Sequence, residues 1–126
     1  MSDADAIAAL LREYLACSDG GRFEAWAQLF TRDGRFVAFG RSVSGREALR
    51  DFIAAAAEGA HGGEVLAIEI EGERATARSR FRFEARDPRF HSRGHYLDRL
   101  RREDGCWRFE ERAVEFEARG PGALAD

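Results

Sequence analysis

From residue 64 onward the apolar residues recur at every second position, whereas before it they recur every three or four; no other feature constrains the fold as much. Helices therefore come first and sheet afterwards. The arrangement is α+β, with N-terminal helices packed on a strongly curved antiparallel or mixed sheet and enclosing an apolar pocket. Ser2 with Asp5 reads as a cap with an acid in the first turn, and Ile7, Leu10, Leu11, Tyr14 and Cys17 follow at helical spacing, predicting a helix over 3–18. Asp19-Gly20-Gly21 breaks it. Phe23, Trp26, Leu29 and Phe30 then lay an apolar stripe on a shorter helix ending before Arg32-Asp33-Gly34. Residues 35–39, RFVAF, read as a short strand. Ser44 with Glu47 reads as a capping box for a third helix, marked by Ala48, Leu49, Phe52, Ile53 and Ala56 and stopping near Gly59.

The sheet half contains two hairpins whose registers can be counted outward from their turns. With Gly72-Glu73 as a two-residue II′ turn, Leu66, Ile68, Ile70, Ala75, Ala77, Ser79, Phe81 and Phe83 share one face. The other face carries Arg74, Arg78, Arg80, Arg82 and Arg86 beside Glu69 and Glu71, with Glu71 across from Arg74, and reads as solvated. Asp104-Gly105 suits a type I′ turn. Counting from it pairs Arg102 with Trp107, Leu100 with Phe109, Asp98 with Glu111 and Tyr96 with Ala113 on the inner face. Leu97, Arg99, Arg101, Arg108, Glu110, Arg112 and Val114 fall outside, with Arg99 opposite Glu110. Asp87-Pro88-Arg89 begins the connection between the hairpins, because proline cannot supply a ladder N–H.

At 126 residues the chain suits one domain over 1–126, with 118–126, ending GPGALAD, read as a frayed tail. All basic residues are Arg, which reflects the codon usage of a GC-rich bacterial genome and is not evidence for nucleic acid. The net charge of -3 argues against a phosphate-binding surface. The acidic start lacks the basic region of a secretory signal, and no apolar run approaches the roughly 18 residues of a membrane span, so a cytoplasmic protein without membrane contact is expected. Cys17 and Cys106 sit in periodic segments and read as packing residues. Three His without regular spacing give no metal site, and no nucleotide-binding or serine-hydrolase motif occurs. No cofactor is expected.

Asp98 and Glu111 side by side on an apolar face cannot both ionise cheaply, so one carboxyl would be kept neutral and suit acid–base work. The alternative is that a bulge after Phe109 turns Glu111 outward and Asp98 bonds a backbone amide or an Arg. Tyr14, on the buried stripe of the first helix, needs a hydrogen-bond partner. It is either a core tyrosine or a donor to a developing oxyanion. His61, in the Gly-rich AHGGE segment between the third helix and the sheet, is either a solvent residue or, if that segment folds over the pocket mouth, a base. His91 and His95 are not favoured: one lies between the hairpins and the other points away from the inner face.

The order of these elements, with the strings REYLACSDGGRFEAWAQLFTRDGRF, SGREALRDFIA, IEIEGERATARS and YLDRLRREDGCWRFEERAV, resembles the SnoaL-like branch of the nuclear transport factor 2-like superfamily over residues 5–117. That resemblance implies a cone of curved sheet closed by helices, often dimerising through the outer sheet face, and so a homodimer. The Arg/Glu mixture on that face is consistent with either an exposed surface or a polar interface. Tyr14 and Asp98 fall where ketosteroid isomerases keep their oxyanion Tyr and Asp. The isomerase base position falls at Ala38, which cannot transfer a proton. His61 falls close to a dehydratase-type catalytic His, and the Arg-x-Asp couple of the epoxide hydrolases has no match. The resemblance and the residues together lead to the expectation of a cofactor-independent lyase, isomerase or cyclase acting on a small apolar carbonyl or phenolic compound. In it His61 removes a proton, Tyr14 and Asp98 stabilise the enolate, and Trp26, Phe36, Phe52, Phe81, Phe83, Tyr96 and Glu111 line the pocket. The competing expectations are a non-catalytic small-molecule-binding or dimerisation domain and an oxygenase small-subunit-like protein.

Overall fold

The computed structural model describes residues 2–56 and 58–119. Three helices come first or early, α1 (Asp3–Asp19), α2 (Phe23–Gln28) and α3 (Arg46–Ala54), and six strands follow or interleave: β1 (Phe30–Ala38), β2 (Arg41–Ser44), β3 (Gly59–Glu71), β4 (Arg74–Ala85), β5 (His91–Glu103) and β6 (Cys106–Arg119). They form one mixed sheet in the order β2-β1-β6-β5-β4-β3, in which only β1 and β6 run parallel. Among the described residues the sheet is open, with β2 and β3 at its edges. No helix is long and apolar enough to cross a membrane among the described residues.

The first helix starts as its capping box dictates: the Ser2 hydroxyl accepts from the Asp5 amide, and the Asp5 carboxylate accepts from the Ser2 amide. Asp3 then ties α1 to the β5–β6 hairpin by accepting from Trp107 Nε1 at 3.1 Å and from Arg102. Ile7, Leu10, Leu11, Tyr14 and Cys17 pack on the sheet in one core with Trp26, Phe30, Phe36, Leu49, Phe81, Tyr96, Leu100 and Phe109. Every second residue of β4 from Ala75 to Phe81 is buried, which defines the inner face of the sheet.

The structure departs from the sequence expectations mainly where chain geometry, and not hydrophobic period, sets the boundary. Strand β1 begins at Phe30, ahead of the expected residue 35, because Phe109 N–H donates to Leu29 O and Phe30 pairs with Phe109 before a register shift over 30–35. Strand β2 was not expected. Phe39 and Gly40, at φ 56° and 72°, make a two-residue turn that pairs Ala38 with Arg41. A phenylalanine is poorly suited to that φ, and its ring is held against Phe116 at 5.0 Å. Ser44 is therefore the end of β2, not the cap of α3; Gly45, at φ 89°, takes the cap position with no side-chain cap bond. The third helix stops at Ala54, and the sheet period starts at Gly59, not 64. The AHGGE segment is strand: His61, Gly62 and Gly63 pair with Phe83, Arg82 and Phe81. Glycines carry no side chain and so left no alternation to read.

Both hairpin turns are as expected. Gly72 alone has positive φ at its turn, the II′ pattern, whereas Asp104 and Gly105 are both positive, the I′ pattern. Close to the turns the registers hold; beyond them, bulges intervene. In β3 a shift between Val65 and Ala67 makes Leu66 the extra residue, 38% exposed, and puts Val65 opposite Ser79. In β6 the shift between Arg99 and Leu100 leaves Glu110 as the extra residue, so Arg99 faces Glu111 and Asp98 faces Arg112. The tail is also corrected: Ala118 and Arg119 pair with Arg93 and Ser92 in β6, while the GPGALAD run lies outside the described residues. Cys17 is buried as a packing residue, but Cys106, beside the tight turn, is exposed.

Candidate functional site

The bulge in β6 decides the composition of the interior. It turns Glu111 outward, so this carboxylate does not line the pocket as expected; it pairs instead with Arg35 at 2.5 Å and Arg99 at 3.3 Å. Arg112, expected outside, comes inside. Its side chain is 1% exposed and that of Asp98 0%, with Nε at 2.8 Å and Nη2 at 3.1 Å from the two Asp98 oxygens. Asp98 thus bonds an Arg, one of the two arrangements open to it in the sequence. Its carboxylate accepts from the guanidinium and is not a free donor. Burial pushes the Asp98 carboxyl up from its ordinary value, and the charge and hydrogen bonds of Arg112 hold that rise back.

The guanidinium carbon lies 3.7 Å from the ring centre of Tyr96, 4.2 Å from Tyr14 and 4.6 Å from Phe109, an aromatic cage that replaces water by cation–π contact. Tyr14 from α1 meets Tyr96 edge to face, with ring centres 5.5 Å apart, so the two phenols sit together beside Arg112. Tyr96 stacks on Phe81, and Trp26, Phe30 and Phe36 continue the aromatic core, with Phe52 packed against Phe36. The expected pocket aromatics Trp26, Phe36 and Phe81 are fully in the core, and Phe52 packs on it. Two buried donors in this region, Trp26 Nε1 and Arg112 Nη1, have no partner among the described residues.

Burial drives both phenols up: Tyr96 is pushed to about 12, and Tyr14 lies well above its ordinary value of 10.0. A group whose folded pKa is raised contributes stability that is complete below its unfolded pKa and is lost as pH rises through the folded one. Stability is therefore expected to hold up to about pH 10 and to fall between about pH 10 and 12. Because Tyr14 and Tyr96 are the only two tyrosines, phenolate absorbance should appear in one step together with loss of near-ultraviolet circular dichroism. A phenolate forming near pH 10 in protein with intact near-ultraviolet signal would contradict the buried arrangement.

His61 stands on the inner face of β3, its ring 4.5 Å from that of Phe83. The last residue of α1, Asp19, grips it twice: one carboxylate oxygen lies 2.6 Å from His61 Nδ1 and the other accepts the His61 backbone N–H at 2.8 Å. With Nδ1 committed to the carboxylate, neutral His61 presents the lone pair of Nε2. The side chains are 16% and 27% exposed, which places the dyad at the rim of the helix–sheet layer. The end of α1 carries no basic residue, so the imidazole is this carboxylate's cationic partner when protonated. Burial is the main cause of the rise of the Tyr96 phenol, and the Asp19 carboxylate adds a small part to it.

The structure thus sorts the expected catalytic residues into two groups on one face. Tyr14 and Asp98 share the Arg112 cluster; His61 pairs opposite Phe83, well along β4 from Ala77, which faces Asp98. Asp19 and Arg112 were missed. In the sequence the first reads as a helix stop, and the unbulged register assigns the second outward. Among the described residues no group of three His, Cys, Asp or Glu side chains is placed to hold a metal ion.

Comparison with known proteins agrees with this architecture. No curated protein matches the sequence. A solved structure of a protein of unknown function from Mycobacterium tuberculosis is 31% identical, with a TM-score of 0.85, covering 91% of this chain and 76% of that one. A protein from Novosphingobium aromaticivorans named provisionally as a scytalone dehydratase is 22% identical, with a TM-score of 0.78 and coverage of 98% and 95%. A ketosteroid isomerase-like protein from Erwinia carotovora atroseptica is 17% identical, with a TM-score of 0.80 and coverage of 90% and 95%. The sequence profile of the SnoaL-like domain matches residues 1–113, and the chain belongs to that family, within the nuclear transport factor 2-like fold.

Proposed function

We propose that this chain is a cofactor-independent acid–base enzyme, a lyase, isomerase or cyclase acting on a small, largely apolar carbonyl or phenolic compound. The observation that carries this reading is the contact of 2.6 Å between Asp19 and His61 Nδ1, on the same sheet face as the buried tyrosine pair. His61 Nε2 takes a proton from carbon next to a carbonyl, the C–H electron pair becomes the enolate, and Asp19 stabilises the imidazolium. The Tyr96 hydroxyl, beside Tyr14 in the aromatic cluster, donates to the enolate oxygen. In an elimination the imidazolium returns its proton to the departing hydroxyl, giving water; in an isomerisation it returns it to another carbon. Relative to the expectation from sequence, Asp19 joins the base and Tyr96 takes over the donor role assigned to Asp98, whose oxygens are occupied by Arg112. The dehydratase and isomerase names among its structural neighbours support acid–base chemistry.

The competing reading, a non-catalytic binding domain, is favoured by Ala38, which is 6% exposed and puts no titratable group on β1 within the core. A series of substituted phenols separates the two. For an enzyme of the proposed kind, affinity for the phenolates rises with ligand pKa, and Tyr96→Phe flattens that dependence. Affinity indifferent to ligand pKa in the wild-type protein would leave apolar binding alone.

A further inference from the structure

A crevice runs between α1 and strands β3 and β4, walled by Leu11, Leu15 and Val65 and floored by Ser79, Tyr96 and Arg112. We propose that it binds a small monovalent anion, of the halide or formate class, held by Arg112 Nη1 and the Ser79 hydroxyl.

The donor inventory is one-sided. Arg112 spends Nε and Nη2 on Asp98, and Nη2 also reaches Ser79 Oγ at 3.4 Å, so the Ser79 oxygen accepts and its proton is left to donate. Arg112 Nη1 is buried, lacks any partner among the described residues, and belongs to a side chain 1% exposed. Leaving a buried N–H unpaired is costly, so an acceptor is called for. Water serves only in part, because beside Ser79 and Tyr96 its own hydrogens also meet the leucine and valine walls. An anion has no protons to place. Charge points the same way: Asp98 neutralises Arg112, Glu64 pairs with Arg80 at the rim at 3.2 Å, and Arg12, also lining the crevice, leaves the surroundings net positive. The passage is narrow, since a Cβ on Gly63 would come within 3.0 Å of Leu15 Cδ1. The site lies apart from the His61–Asp19 dyad, which plays no part in it, and shares Tyr96 and Arg112 with the buried tyrosine cluster.

Bromide is a suitable probe. At constant sodium concentration, replacing glutamate by bromide should raise the melting temperature along a saturating curve. Gly63→Leu, which closes the passage, should abolish the rise. Arg12→Gln, at an exposed position, should shift the midpoint several-fold to higher bromide, and His61→Gln should leave it unchanged. Crystals soaked in bromide should show an anomalous peak within hydrogen-bonding reach of Arg112 Nη1. A rise that does not saturate, a midpoint indifferent to Arg12→Gln, or a soaked crystal with water and no bromide at Nη1 would overturn the proposal. Because none of these readouts uses a substrate, their failure would say nothing against the acid–base reading.

Discussion

Replacing Arg112 by methionine is expected to lower the free energy of unfolding by about 3–5 kcal/mol, the penalty of leaving the other half of a buried ion pair without its partner. Asp98 has no solvent to turn to: its side chain is 0% exposed and both its oxygens depend on the guanidinium. The variant should also change the pH dependence. Burial already raises the Asp98 carboxyl, and without Arg112 nothing opposes that rise. A carboxyl with a raised folded pKa favours folding most below its unfolded value, and that contribution is lost as pH rises through the folded one. Arg112→Met protein should therefore gain stability relative to wild type as pH falls from neutral toward 5. Combining it with Asp98→Leu removes both charges and should recover most of the loss. Urea unfolding of the four proteins in the cycle measures the coupling. Additive losses, or a single-variant loss under about 1 kcal/mol, would mean that the pair is not the organising contact of the interior.

The second large effect concerns the dyad. For His61→Gln, turnover, or deuterium exchange next to the carbonyl of a ketone accepted by the wild-type protein, is expected to fall by about 10²–10⁴-fold, the usual worth of a positioned base. Asp19→Asn should cost nearly as much, since the asparagine amide can donate to Nδ1 and so leave the proton on Nε2, where the lone pair is needed. The double variant should be little worse than either single one, because the two side chains act as a unit. Both groups are partly exposed, at 16% and 27%, so thermal stability should change little. Activity surviving either substitution, or losses that add, would remove the dyad from the chemistry.

Local sequence carried much of this fold. The Ser2–Asp5 box, the stripe from Ile7 to Cys17, and the Gly72-Glu73 and Asp104-Gly105 turns are short-range signals, each set by backbone conformations or hydrogen bonds within a few residues. Registers counted from those turns hold as far as Leu100 with Phe109 and Ala67 with Arg78. The resemblance read from the chain, and the family that goes with it, rests on the same ordered signals.

What escaped depends on contacts between distant segments. One extra residue at Glu110 exchanges Glu111 for Arg112 inside the sheet, and no alternation of polar and apolar residues announces it, because Glu110, Glu111 and Arg112 are all charged. Their sorting is settled only when Asp98, Tyr14 and Tyr96 surround the one guanidinium that both pairs with the carboxylate and stacks on the rings. The dyad is of the same kind. Asp19 ends a helix and His61 lies in a glycine-rich strand, so neither position shows a pattern by itself, and the packing of α1 along β3 is what brings carboxylate and imidazole to 2.6 Å. Short-range signals settle the helices-then-sheet order, the cap of α1 and the two hairpin turns. Contacts across the fold settle which charges go inside, because burying a charge is tolerable only beside its partner, and that partner comes from another strand or helix.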